Sequence, residues 1–153
     1  MKKIFFFLLL AMISFACESS DTNKEAKHID DDKIPAVVQQ AFEKKYPEEK
    51  KPKWEIDRNN NFEAEFKEDG EKYRADFTPA GEWIETEISI KKKDLPKVIR
   101  DILKEQFQEY KIVELELVDH AKKGIFYDVE FKKDGKKMDV EFNEQGEVIG
   151  MEE

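Results

Sequence analysis

The sequence is poor in the residues that build most catalytic and metal centres. Among its 153 residues there are one cysteine and two histidines, so paired cysteine or histidine ligands for zinc, haem or an iron–sulfur cluster are lacking. The sequence has no glycine-rich phosphate loop and no serine in a nucleophile-elbow motif. We therefore predict that the protein is not an enzyme and has no catalytic residues, cofactor or metal.

Positive charge is also in deficit. The chain has 27 basic and 36 acidic side chains, which gives a net charge of −9 at pH 7. Such a protein is repelled by nucleic-acid backbones, so we predict no nucleic-acid partner. Basic proteins and cations remain compatible with this charge. With 12% aromatic residues, the chain is nevertheless too rich in large apolar side chains to be disordered.

Long hydrophobic runs are absent except for one near the N-terminus. Lys2 and Lys3 precede ten apolar residues, 4–13, and small residues follow them. This pattern is typical of a secretory signal, and the apolar run is too short to form a membrane-spanning helix. We therefore predict that residues 1–16 are a signal peptide.

The only cysteine, Cys17, directly follows the predicted cleavage site. Ser14-Phe15-Ala16-Cys17 resembles a bacterial lipobox, in which the cysteine is acylated and becomes the first mature residue. A lone cysteine in an exported protein has no internal disulfide partner. We predict that Cys17 is lipidated and that residues 17–33 form a flexible tether. The protein would then be anchored by lipid at the cell envelope, in the periplasm or at the outer membrane. An ordinary cleaved signal is the alternative.

A repeated pattern fills the rest of the chain. Helical apolar stripes begin at Ile34-Pro35 and again at Leu95-Pro96, at an offset of 61 residues. Two Asp-Gly turn signals, at 69–70 and 134–135, follow at an offset of 65. Such self-similarity is typical of a duplicated structural unit.

The pattern predicts one domain over residues 34–153. Each repeat, 34–90 and 95–152, consists of a helix followed by about four strands. The expected fold class is α+β, with a largely antiparallel sheet and the two helices packed on one of its faces. Asp94 is the predicted cap of the second helix, and Asp32 is expected near the start of the first.

Folding the chain at each Asp-Gly pair predicts the register of two hairpins. Every inward-facing pair is then apolar, and a shift of one residue would destroy this pattern. The predicted pairs are Phe62–Phe77, Ala64–Ala75, Phe66–Tyr73, Tyr127–Phe142, Val129–Val140 and Phe131–Met138.

The other side of both hairpins is charged. Like charges lie opposite each other in the pairs Glu63–Asp76, Asp128–Glu141, Glu130–Asp139, Lys67–Lys72 and Lys132–Lys137, and Glu65–Arg74 is the obvious pair of opposite charges. Like charges across strands destabilise a sheet by roughly 0.2–1 kcal/mol per pair. We therefore expect this face to bind a charged protein or peptide. A solvated face screened by salt is the alternative.

Two aromatic residues, Trp83 and Phe126, are the ones that the strand pattern explains least. Exposed aromatic side chains can anchor an interface, so both are candidate binding residues. Packing at a sheet edge is the alternative. The complete set of candidate binding residues is Glu63, Asp76, Trp83, Phe126, Asp128, Glu130, Asp139 and Glu141.

The turn motifs resemble those of a known family. Phe-x-x-Asp-Gly-x-x-Tyr at 66–73 and the matching stretch 131–138, which ends in Met, are each followed by Phe-x-x-x-Gly. They are similar to the PepSY-like, beta-lactamase-inhibitor-like family, which is common among exported bacterial lipoproteins. The resemblance covers residues 34–152 and implies duplicated α+β units with an open sheet face. Related PepSY domains are regarded as restraining proteases, and beta-lactamase inhibitor proteins grip an enzyme with a sheet. No inhibitory motif carries over to individual residues.

The sequence therefore predicts a lipid-anchored envelope module that binds or regulates a protein or peptide through its charged sheet face. One alternative is a periplasmic protein that binds a small ligand or a cation such as calcium. Another is a structural envelope component without a soluble partner.

Overall fold

The computed structural model describes residues 27–153. The predicted signal peptide and Cys17 lie outside the described residues. The strands are β1 (Lys27–Ile29), β2 (Lys53–Ile56), β3 (Phe62–Glu68), β4 (Glu71–Phe77), β5 (Trp83–Ser89), β6 (Lys111–His120), β7 (Gly124–Lys133), β8 (Lys136–Phe142) and β9 (Val148–Glu152). The helices are α1 (Ala36–Lys45) and α2 (Lys97–Gln106), and neither is long and apolar enough to cross a membrane.

The nine strands form one antiparallel sheet in chain order, from β1 to β9. The prediction of an α+β fold with a mostly antiparallel sheet and two helices is therefore confirmed. The two halves of the chain join where β5 pairs with β6, for example with Ile88 opposite Leu117. This junction makes the sheet continuous, so side chains from both halves can meet on it.

Both predicted hairpin registers are confirmed, including all six inward-facing apolar pairs and the like-charge pairs opposite them. The turns explain why the register is fixed. Asp69 and Gly70 both have positive φ, as do Asp134 and Gly135. Two consecutive residues of positive φ match the twist of the strands on either side of a tight turn.

Each helix packs on the strands that follow it. In the first cluster, Val38 and Phe42 of α1 contact buried residues of β2, β3 and β4 such as Trp54, Phe66 and Phe77. In the second, Ile99 and Leu103 of α2 contact residues of β7 and β8, namely Val129, Phe131, Val140 and Phe142. The spacing of the apolar residues on each helix therefore predicted the side that is buried.

The end of the predicted tether is structured. Lys27–Ile29 forms β1 and pairs with β2, and Asp31–Lys33 forms a turn of 3-10 helix. Ile29 packs against the first core cluster. The prediction of a flexible segment is therefore wrong for residues 27–33, because one apolar side chain and a neighbouring strand edge are enough to hold this segment on the sheet.

The predicted helix caps also differ from those in the structure. The backbone N–H of Lys91 donates to Asp94 Oδ2 at 3.2 Å, within a 3-10 turn at Lys92–Asp94. Helix α2 begins later, at Lys97, and Pro96 occupies its cap position. Asp94 therefore caps the turn before the helix, and Asp32 likewise lies in the 3-10 turn before α1.

Candidate functional site

Thirteen carboxylates lie in strands on the side of the sheet that alternates with the core residues. We call this surface the acidic face. Its members are Glu55, Glu63, Glu65, Asp76, Glu85, Glu87, Glu114, Glu116, Asp128, Glu130, Asp139, Glu141 and Glu152. Cross-strand partners such as Asp76 and Glu85, or Glu116 and Asp128, lie directly opposite each other. All six carboxylates predicted as binding residues belong to this face.

Arg74 connects the two halves of the acidic face. Its Nε donates to Glu87 Oε2 at 2.6 Å, and its Nη2 lies 2.8 and 2.7 Å from the two carboxylate oxygens of Glu116. Glu116 is only 5% exposed. Burial alone would lower the pKa of Arg74, but Glu87 and Glu116 raise it above its ordinary value. The guanidinium therefore stays charged at the centre of the face.

The predicted pairing of Glu65 with Arg74 needs correction. The two residues are cross-strand partners, but Glu65 forms its ion pair with Lys72, 3.0 Å away. Arg74 turns instead toward Glu87 and Glu116. Glu87 is the direct cross-strand partner of Arg74 on β5, and Glu116 lies on the next strand, β6, within reach of the long arginine side chain, so these two acidic residues compete successfully for it.

Eight carboxylates on this face have no ion pair among the described residues, namely Glu55, Glu63, Asp76, Glu85, Glu114, Asp128, Asp139 and Glu152. Burial and the neighbouring Glu87 and Glu63 raise the pKa of Asp76 to about 8. Burial and Glu87 raise the pKa of Glu85 to about 7. The pKa of Asp128 rises to about 7 through burial and Asp139.

Unsatisfied polar atoms mark the same region. Asp76 Oδ1 and Asp128 Oδ1 are both buried and accept no hydrogen bond from any described residue. Buried carboxylate oxygens without a donor are costly, and a positively charged donor relieves that cost. The acidic face is therefore deficient in positive charge and in hydrogen-bond donors.

Exposed lysines neutralise only the margins of the acidic face. Lys137 Nζ lies 2.7 Å from Glu130 Oε1, and Lys123 Nζ lies 2.7 Å from Glu141 Oε1. Ion pairs of this exposed kind contribute roughly 0–1 kcal/mol and are weakened by salt. These lysine side chains can therefore be displaced by another cation at little cost.

A recess of about 180 Å³ opens on the acidic face. It is lined by Arg74, Glu114, Glu116, Asp128, Glu130 and Asp139. Within residues 27–153, no three histidine, cysteine, aspartate or glutamate side chains are grouped so that they could hold a metal ion.

The two predicted aromatic residues lie in different places. Phe126 lies opposite Val118 on the acidic side of β7 and is 3% exposed, while Lys123 Nζ lies 5.1 Å from its ring centroid. Trp83 packs against the first core cluster and donates from Nε1 to Thr86 Oγ1 at 3.0 Å. Phe126 is thus a buried residue on the acidic side of the sheet, and Trp83 lies on the core side.

Sequence reasoning missed the four acidic-face carboxylates of β5 and β6, Glu85, Glu87, Glu114 and Glu116, and the central position of Arg74. The alternation of Glu85, Thr86 and Glu87 was a visible strand signal. Its significance depended on the pairing of β5 with β6, which brings Glu116 to the acidic face beside Glu87. No turn motif specifies this pairing, because α2 lies between the two strands in the chain.

Comparison with known proteins agrees with this architecture. Residues 20–72 and 60–150 each match the model of a family described as "Putative beta-lactamase-inhibitor-like, PepSY-like". A search of curated proteins finds no match.

Several solved structures share the fold. A DUF2874 family protein from Bacteroides uniformis is 20% identical, with a TM-score of 0.68 over 77% of this chain and 88% of that one. A BLIP-like protein from Bacteroides fragilis is 21% identical, with a TM-score of 0.64 over 77% and 84%. A protein from Bacteroides eggerthii described as "putative periplasmic" is 22% identical, with a TM-score of 0.68 over 78% and 88%. That description agrees with the predicted location at the cell envelope.

Proposed function

Because the chain belongs to the PepSY-like, beta-lactamase-inhibitor-like family, we propose that it is a non-enzymatic module that binds a basic segment of a partner protein through the acidic face. The family is not a known enzyme family, and one structural neighbour is BLIP-like. The partner would supply lysine or arginine side chains to carboxylates that the chain itself leaves without counter-charges.

The observation that carries this proposal is the imbalance of charge on the acidic face. Arg74 is its one central cation among the described residues, and Glu87 and Glu116 already occupy it. Asp76 and Asp128 retain buried oxygens without donors. A partner's guanidinium or ammonium group would supply both the missing charge and the missing hydrogen bonds. The same logic makes the proposed complex sensitive to salt.

The location and layout of the protein are part of the proposal. The chain would be exported, anchored by lipid on Cys17, and present the acidic face at the cell envelope. The two helices would pack on a single face, because strand registers place Ala75 beside Thr86 and Leu117 beside Tyr127 on the side opposite the carboxylates. The matching hairpins and helices would reflect a duplicated unit.

A capture experiment tests the proposed function. Residues 18–153 serve as bait for envelope extract, beside a variant carrying Asp128→Lys and Glu130→Lys. The matched control carries Glu43→Lys and Glu105→Lys, which change the charge equally at exposed helix positions. We expect a partner that is retained by the native chain and the control but lost by the face variant. The same proteins on all three baits would reject the acidic face as the binding surface.

A milder variant guards against misfolding. Asp128→Asn with Glu130→Gln preserves side-chain shape, and we expect it to weaken binding of the captured partner as well. Since the pKa of Asp76 is about 8 and that of Asp128 about 7, a cationic partner must displace protons below those values. Affinity should therefore rise between pH 6 and pH 8.5, and a flat profile would contradict the proposed role of these carboxylates.

A further inference from the structure

Strand β9 has one free edge. It pairs with β8 through Val140–Met151 and Glu141–Gly150, and no other described strand borders it. Strand β5 follows the same Phe-x-x-x-Gly motif in the first half, yet β5 is paired on both sides, with β4 and β6. Among the described strands, the outer edge of β9 therefore presents main-chain donors and acceptors without the neighbouring strand that β5 has in β6.

This edge has only part of the usual protection against strand addition, namely a bulge at Ile149 and one charged side chain, Glu152. Proteins commonly guard edge strands with lysine, proline or a very short strand. Strand β9 has five residues and contains neither lysine nor proline, whereas β1 at the opposite edge has only three residues. The side chains of Val148, Ile149 and Met151 are about half exposed.

The two sides of β9 differ in chemistry. Val148 and Met151 lie beside Phe142 and Val140 on the apolar side, while Gly150 and Glu152 lie beside Glu141 and Asp139 on the acidic side. A recess of about 330 Å³, lined by Lys123, Asp128, Asp139, Glu141 and residues 149–152, opens there. An additional strand would therefore meet an apolar strip with one set of its side chains and carboxylates with the other.

Gly150 keeps this acidic recess close to the edge. A Cβ at Gly150 would lie 2.7 Å from Glu141 Cδ, so the absence of a side chain allows Glu141 to lie across β9. Lys123 holds that carboxylate from the other side. The edge strand thus presents negative charge beside its free main chain.

We propose that the outer edge of β9 accepts an extended segment of another protein as a tenth strand, with apolar side chains beside Val148 and Met151 and basic side chains beside Gly150 and Glu152. The carboxylates beside β9 favour a segment that carries basic side chains, because the charges are then complementary. A second copy of the chain fits less well, because pairing β9 with itself brings together two acidic sides of a protein whose net charge is −9. Main-chain pairing at this edge is distinct from binding on the acidic face.

The probe for this proposal is a fluorescent ten-residue peptide of alternating valine and lysine. Its matched control has the same sequence with every backbone amide N-methylated, which preserves charge and side chains but removes the main-chain donors. We expect the parent peptide to bind and the methylated peptide to bind at least tenfold more weakly. Equal affinities, or no binding of the parent peptide, would overturn the proposal.

Two matched variants locate the binding. Met151 of β9 is 53% exposed and Ile125 of β7 is 54% exposed, so Met151→Lys and Ile125→Lys make the same charge change at equally exposed apolar positions. Strand β7 is paired on both sides. We expect Met151→Lys to weaken peptide binding at least tenfold and Ile125→Lys to change it less than threefold. Equal effects would overturn the edge assignment.

Two further measurements distinguish pairing at the β9 edge from binding on the acidic face and from self-association. If Asp128→Asn with Glu130→Gln abolishes peptide binding while Met151→Lys does not, the acidic face binds the peptide and the edge proposal is wrong, although the proposed function stands. Analytical ultracentrifugation should show a monomer. A dimer that Met151→Lys dissociates would identify a second copy as the occupant and would also overturn the proposal.

Discussion

The two halves of the chain build similar hairpins but treat charge differently. Arg74 in β4 and Asp139 in β8 occupy matching positions, 65 residues apart. Arg74 binds Glu87 and also reaches Glu116 in the second half. Asp139 instead adds negative charge, and burial together with Glu130 raises its pKa. This difference at equivalent sites thus places a cation at the junction of the halves and an additional carboxylate in the outer half.

The free edge follows the same division. Strand β5 is enclosed by the second half, whereas β9 has a neighbour on one side only among the described strands. The last strand of the first half, β5, therefore joins the two halves by pairing with both β4 and β6. Carboxylates without ion pairs lie in both halves, for example Asp76 in the first and Asp128 in the second, whereas the open edge of β9 lies in the second half.

The largest expected effect comes from the cores of the two halves. Phe77 and Phe142 are fully buried at matching positions, and replacing either by alanine should cost about 3–5 kcal/mol of unfolding free energy. Because β5–β6 pairing joins the halves, we expect one cooperative transition in both variants. Both tryptophans, Trp54 and Trp83, lie in the first half, so urea unfolding followed by tryptophan fluorescence and by circular dichroism checks this.

Coincident transitions in both probes support a single folding unit. If Phe142→Ala lowers the circular-dichroism midpoint but leaves the tryptophan midpoint unchanged, the halves unfold separately. The two halves would then behave as separate domains rather than as two parts of one sheet.

The sequence was sufficient for the hairpins because their information is local. The Asp-Gly turns and the alternation around Ala64 and Val129 fix the register within a few residues. The junction of the halves was harder, because β5 and β6 are separated by a helix and their pairing depends on tertiary packing. Arg74 was therefore assigned to Glu65 on its own hairpin, although its partners include Glu116 from β6. The structured segment around Ile29 was missed because a single apolar side chain makes no periodic pattern.

Exchanging charge at the matched positions should have the next largest effect. Arg74→Met leaves Glu87 and Glu116 without their counter-charge and should cost roughly 2–3 kcal/mol, with allowance for the partial exposure of the arginine. Asp139→Arg places a cation among Asp128, Glu130 and Glu141, and we expect it to stabilise the fold slightly. Thermal unfolding at pH 7.5 in low salt compares the two variants. If Asp139→Arg destabilises the fold instead, the packing of the Asp139 side chain matters more than the repulsion among the neighbouring carboxylates.

The pH dependence of stability sharpens this comparison. The pKa of Asp76, about 8, and that of Asp128, about 7, exceed the ordinary values of unfolded aspartate. The folded state therefore binds more protons, so stability is greatest below about pH 4 for these groups and is lost as pH rises toward 8. Asp139→Arg should reduce that loss by favouring the ionised form of Asp128. If the unfolding free energy of Asp139→Arg depends on pH between 5 and 8.5 in the same way as that of the native protein, the loss of stability does not arise from Asp128.

The smallest expected difference concerns the glycines that end the matching Phe-x-x-x-Gly motifs. Gly81 and Gly146 both have positive φ, as does Gly135 in a turn. A Cβ at Gly81 would lie 2.8 Å from the backbone oxygen of Val37, one at Gly146 would lie 2.8 Å from the flexible end of Ile102, and one at Gly135 would meet nothing within 4 Å. The backbone of Val37 can move less easily than the end of the Ile102 side chain.

Alanine at Gly135 should therefore cost only the backbone strain of positive φ, about 1 kcal/mol. Gly146→Ala should cost slightly more because Ile102 can move, and Gly81→Ala should cost about 1 kcal/mol beyond Gly135→Ala because α1 itself must shift. Urea midpoints of the three variants, measured at one pH, give the order. Equal losses for all three would mean that neither helix presses on its turn as described, and the close packing of α1 on the first half would lose its support.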